Sequence, residues 1–174
     1  RERADWIAIV FDNGTLVIFQ IPSIGKMKGD ESQQENDEEE EVELLPIMRV
    51  QNEQPFRRIQ WCYFDYKLYL LGYVGSQLHF FYPRLGNLDP VYSGSLEISK
   101  PITDITIRPD LGYVYIAKER SAIEVASLSE SSLESLASID VLRKVKYLQY
   151  VCSSIEPTEY FPTTKTHGLL YQHN

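Results

Sequence analysis

The stretch from Pro101 to Leu128, PITDITIRPDLGYVYIAKERSAIEVASL, leaves this chain few folds to choose from. Its apolar side chains recur at a period near two, which puts them on one face of a pleated strand and not on one stripe of a helix. Ile102, Ile105 and Ile107 lead into Arg108-Pro109-Asp110-Leu111-Gly112, whose Pro, Asp and Gly favour a turn. Tyr113 to Ala117 is dense in β-branched and aromatic residues and reads as a second strand. The charged triplet Lys118-Glu119-Arg120 then turns the chain into a third strand, Ala122 to Val125.

The unit recurs. Its opening pattern is apolar, any, charged, apolar, any, apolar. It stands at Phe56–Trp61, Ile102–Ile107 and Leu142–Tyr147, in steps of 46 and 40 residues. The third strand recurs too, at Gly14–Phe19, Ser76–Phe81 and Ser121–Val125. Repeats of this length with three or four strands each predict β-propeller blades. Four partial antiparallel blades follow. Trp6–Phe11 and Thr15–Ile21 form a hairpin across Asp12-Asn13-Gly14, with Leu44–Val50 outside it. The second blade is Phe56–Trp61, Lys67–Tyr73, Gln77–Tyr82 and Val91–Ile98. The third is the opening unit with Leu133–Ile139, where a strand is preferred to a short helix. The fourth is Leu142–Tyr147, Tyr150–Ser153 and Gly168–Tyr171. The expectation is an all-β protein, residues 1–174 forming one partial propeller domain of a larger propeller. Its core residues are Ile59, Trp61, Ile105, Ile107, Val145 and Tyr147, and Gly72, Gly75 and Gly94 read as turn and bulge positions.

The formal charge of −8 belongs to one segment. Gly29 to Glu43 holds nine acidic residues and no basic one, leaving 16 acidic against 17 basic elsewhere. Such a run buries too little apolar surface to offset chain entropy, so residues 29–43 are expected to be a disordered insertion. No apolar run is long enough to span a membrane. Two cysteines are too few for a disulfide framework, which points to a reducing compartment, nucleus ahead of cytoplasm. Cys62, beside Trp61, reads as a small core residue. The chain opens on Arg1, already next to a strand, as an excised piece would.

Ile102 to Ala117, with its Ile-x-x-Ile-x-Ile-Arg-Pro-Asp-x-Gly and following aromatic-aliphatic strand, resembles the middle portion of WD40-type β-propeller repeats. The Gly-His pair of that family is missing, and Phe19-Gln20, Phe81-Tyr82 and Val125-Ala126 stand where its Trp-Asp pair would be. The resemblance is therefore to a divergent propeller, and it implies a subunit of a large assembly.

No catalytic, cofactor or metal constellation is found. His79, His167 and His173 are scattered, and no phosphate loop or nucleophile elbow occurs. His79 alternates with Leu78 and Phe80 and is expected to be a satisfied or edge-exposed strand residue. The reading is a non-enzymatic scaffold that binds other protein subunits, which complete the propeller. Its partner-binding candidates are Glu38, Glu39, Glu40 and Glu41, as a lure for a basic tail, together with Arg57 and Arg58. The run also reads as an inert solvated loop, with Ser32 as a weak acidophilic phosphorylation motif. The alternative is nucleic-acid contact through Arg57, Arg58, Arg143, Lys144 and Lys146, less favoured because the folded body is nearly neutral. A propeller hydrolase with its site in other blades is the third reading.

Deleting residues 29–43 is expected to leave the melting temperature nearly unchanged, as read by differential scanning calorimetry. A large drop would mean that the run packs against the body.

Overall fold

The computed structural model describes residues 5–21, 44–86, 88–119, 122–129, 132–141, 145–155 and 164–173. They form thirteen strands and no helix, arranged in four antiparallel sheets of three, four, four and two strands. Within each sheet, neighbours in sequence are neighbours in space. Two compact units result, Arg1–Pro55 with Pro83–Pro90, and Phe56–Tyr82 with Val91–Asn174.

The first unit holds β1 (Asp5–Val10), β2 (Thr15–Ile21) and β3 (Leu45–Gln51) in that order. The β1–β2 connection is a three-residue turn, Asp12-Asn13-Gly14, with the glycine in the left-handed region. Asn13 Oδ1 accepts from the Thr15 amide at 3.0 Å, and Gly14 takes φ +84°. Its own carbonyl accepts from the Asn52 amide at 3.0 Å. A Cβ on Gly14 would collide with the Asn52 carbonyl, so both the backbone angle and the close approach require glycine. Gln51 closes the corner, taking the Thr15 hydroxyl at 2.7 Å and giving its amide to the Asn13 and Asn52 carbonyls.

The second unit holds three sheets. The first is β4 (Ile59–Phe64), β5 (Lys67–Val74), β6 (Gln77–Tyr82) and β7 (Tyr92–Glu97). The second is β8 (Ile102–Arg108), β9 (Tyr113–Lys118), β10 (Ala122–Leu128) and β11 (Leu133–Asp140). β12 (Val145–Ile155) pairs with β13 (Thr164–His173) in the third. Alternation along the strands gives the middle sheet two apolar faces. Ile105, Ile107, Val114 and Ile116 pack with Tyr69, Leu71, Leu78 and Phe80 of the first sheet. On the other side, Ala117 and Ile123 pack with Val145 and Leu148 of β12.

Several expectations need correction. Among the described residues the fourth segment has two strands where three were expected. No turn residue interrupts β12 near Leu148, whose side chain is fully buried, so the strand runs unbroken to Ile155. Ile105, Ile107 and Val145 are buried as expected, but Ile59 and Trp61 are only half-buried and Tyr147 is exposed. Lys118 does not turn the chain; it ends β9 and is buried. Gly72 and Gly94 sit in regularly paired strands, not at bulges. The Phe80 ring covers Gly94 where a Cβ would stand. Asp65 and Tyr66, at φ 48° and 60°, form a two-residue turn of the primed type that their residue types do not announce. The acidic run lies outside the described residues.

Burying an isoleucine contributes about 1.5–3 kcal/mol, and a carboxylate in its place must be desolvated without a partner. Ile105→Asp is therefore expected to abolish the cooperative melt followed by circular dichroism. A variant melting within a few degrees of the parent would place Ile105 outside the core.

Candidate functional site

One cluster of ionisable groups in the second unit lies where the first strands of its sheets meet. The repeated sequence pattern carries a charged residue at its third position, among apolar neighbours: Arg58, Asp104 and Lys144. Asp104 is buried, and a buried carboxylate must be paired and hydrogen-bonded. Arg58, just ahead of β4, supplies the charge: its Nη1 lies 2.8 Å from Asp104 Oδ1 and 3.0 Å from Oδ2. From the other side, the Leu148 amide of β12 donates to Oδ2 at 2.6 Å. One carboxylate thus joins three sheets.

Around it the seam is closed by neutral bonds. The Thr103 hydroxyl donates to the Val145 carbonyl at 2.8 Å, and the Tyr150 amide donates to Thr106 Oγ1 at 3.0 Å. Tyr73 of β5 donates its hydroxyl to the Thr103 carbonyl at 2.8 Å. Burial, and then the negative charge of Asp104, push the Tyr73 pKa up, which keeps that donor protonated. Residues rise together along β8 and β12, so the two strands are parallel. β4 follows the same direction: Arg58 meets the start of β8, and Phe64 lies over Gly112 in the turn after it. Arg58 is further held by Gln60, whose amide oxygen, assigned toward the guanidinium, accepts from Nε at 3.2 Å and Nη2 at 3.1 Å. The guanidinium lies 5.2 Å from the centroid of the Tyr147 ring. That contact is why Tyr147 is not core: its ring faces a cation at the rim of the seam. Arg108 repeats the arrangement with Tyr150 at 5.9 Å, and Asp110 takes its Nε at 3.1 Å.

A second ion pair is buried within the middle sheet. Lys118 Nζ lies 2.8 Å from Glu124 Oε2, and Ser135 donates to Glu124 Oε1 at 2.6 Å. Sequence reading missed both clusters. The signal was present in each case as a charged residue inside an apolar strand pattern, which requires a partner but does not name it.

Of the residues singled out from sequence, Arg57 and Lys146 are exposed, while Arg58 is engaged as described. Arg143, Lys144 and Glu38, Glu39, Glu40 and Glu41 lie outside the described residues. Cys62 is a free, buried thiol whose pKa burial pushes up to about 11, fitting the small-core-residue reading. His79 is neither satisfied nor edge-exposed. Its ring stacks on Phe81 at 6.3 Å and meets the Phe56 ring edge at 5.3 Å, with Nε2 buried and unbonded among the described residues. Burial pushes its pKa down, and Glu97 opposes this only in part, so the ring is held in its neutral form. No group of three or more His, Cys, Asp or Glu among the described residues is placed to hold a metal ion, and no helix among them is long and apolar enough to cross a membrane. A cavity of about 270 Å³ lies beside the seam, lined by Gln60, Trp61, Thr106, Ile107 and Pro109.

Removing Asp104 leaves the Arg58 guanidinium without its carboxylate and the Leu148 amide without an acceptor. Asp104→Ala is expected to cost about 2–4 kcal/mol in urea unfolding. Asp104→Asn keeps an acceptor for Leu148 and should cost less. In a double-mutant cycle Arg58→Ala and Asp104→Ala should couple by about 0.5–3 kcal/mol; additive losses would show that the pair does not act as a unit.

Comparison with known proteins returns no matching family model and no matching curated protein.

Proposed function

We propose that this chain is part of a divergent WD40-like β-propeller that acts as a non-enzymatic scaffold subunit of a multi-protein assembly in the nucleus or cytoplasm. The observation that carries the reading is the seam of first strands. β4, β8 and β12 run side by side in one direction, each opening an antiparallel sheet, and side chains bridge them. First strands ranged in parallel around a common line are what the radial blades of a propeller require. The scaffold role rests on how the charged groups are used. Arg58, Asp104, Lys118 and Glu124 hold elements together by internal pairs, and the exposed large side chains, such as Tyr66 and Leu136, offer contact area and no chemistry. Nucleic-acid contact draws less support, because Arg58, one of its five basic residues, faces Asp104.

A two-stranded sheet such as β12–β13 is marginal by itself, and unpaired edges invite either aggregation or a partner strand. The chain is therefore expected to be stable only within a longer polypeptide or a hetero-complex. Light scattering with a thermal melt on the isolated chain decides the matter. Self-association, cured by a co-expressed partner, is the expected outcome. A monodisperse monomer with one sharp transition would remove the main physical support for the scaffold reading.

A further inference from the structure

The outer strand of the middle sheet, β11, is covered on one face and bare on the other. Residues directly opposite one another in neighbouring strands share a face of the sheet. On the face toward β4–β7, Leu133 stands opposite Leu128 and is buried with it, in the core that Leu96 of β7 joins. β7 is the outer strand of its own sheet and lies against β11. The other face carries the row Asp104, Ala117, Ile123 and Ile139, one residue from each strand from β8 outward. Their exposures are 3%, 0%, 2% and 48%. β12 lies on β8 and β9, and cover on this side ends between Ile123 and Ile139.

The difference follows the number of strands in the sheet opposite. What lies against β11 on the covered face is the fourth strand of a four-stranded sheet, whereas β12–β13 has two strands among the described residues. β13 therefore has one edge with no partner strand among them. Such an edge presents backbone N–H and C=O groups in the spacing that an added strand satisfies. Glu134, opposite Ser127, shares the bare face with Ile139 and is exposed. A covering strand thus meets an isoleucine and a carboxylate, and is matched by apolar and basic side chains on one of its own faces.

We infer that a two-stranded antiparallel segment of a partner protein pairs with the free edge of β13 and fills the third and fourth places of that sheet. Its inner face lays apolar side chains on Ile139 and a Lys or Arg near Glu134. The inference deepens the scaffold reading, and rests on it for the segment belonging to a partner. The test uses the whole chain and a labelled hairpin probe, Thr-Lys-Thr-Ile-Thr-Val-Thr-Asn-Gly-Thr-Val-Thr-Ile-Thr-Lys-Thr, which carries Lys, Ile and Val on one face. Fluorescence anisotropy should show saturable binding, weakened about tenfold by Ile139→Lys. Replacing both Lys of the probe by Glu should weaken it, and replacing its Ile and Val by Thr should abolish it. If Ile139→Lys does not melt like the parent, Ile139→Thr replaces it, with a smaller loss in the same direction. Hydrogen exchange should slow in Thr164–His173 when the probe binds. No binding, equal affinity for the Ile139 variant, or slowed exchange at β3 or β7 instead overturns the assignment. So does a dimer of the isolated chain in which β13 is already protected and which Ile139→Lys dissociates, since the occupant would then be a second copy. The scaffold reading stands or falls separately, on the mass and melt of the isolated chain.

Discussion

A carboxylate stripped of water cannot persist unless other groups replace its hydration, and in the second unit that requirement falls on Asp104. Its side chain is only 4% exposed. The replacement comes from both neighbouring sheets, a guanidinium ahead of β4 and a backbone amide of β12. Both donors meet on one carboxylate, which ties β8 to its neighbour on either side at these positions. Apolar packing between the sheets is larger in total but not directional. Interdigitated Ile, Leu and aromatic side chains favour stacking, and the buried charge selects one stacking among several. This specificity has a cost, since an apolar residue of similar volume is often no worse for stability.

The same division runs through the rest of the unit. Lys118 and Glu124 are buried together in the middle sheet, with Ser135 completing the carboxylate's shell. Phe80 lies over Gly94, so a missing side chain on one strand makes room for an aromatic ring on the next. His79 is enclosed by Phe56 and Phe81 and held neutral by burial. These groups position strands, and that is the physical content behind the scaffold proposal.

How much of this could be read beforehand depended on the range of the interaction. Strand positions came from local pattern: the Gly14 turn, the Arg108–Gly112 turn and the strands β4–β7 and β8–β11 lie within a few residues of expectation. The continuous β12 did not, because nothing local marks Leu148 as the point where Asp104 holds the backbone. The nucleic-acid candidates were a reading of charge by residue type. Arg58 left that group once its carboxylate partner was visible, 46 residues away.

By itself, then, the order of residues determined that the described chain is all-β, where most of its strands turn, and that apolar positions alternate along them. Those properties follow from backbone sterics and period-two alternation, which act over a handful of residues. Only the tertiary structure decided which charge meets which, and why Tyr147 is exposed over Arg58 while Val145 is buried. Pairings of that kind depend on contacts between segments tens of residues apart. A charged residue in an apolar strand announces that it needs a partner, and the stacking of the sheets chooses the partner.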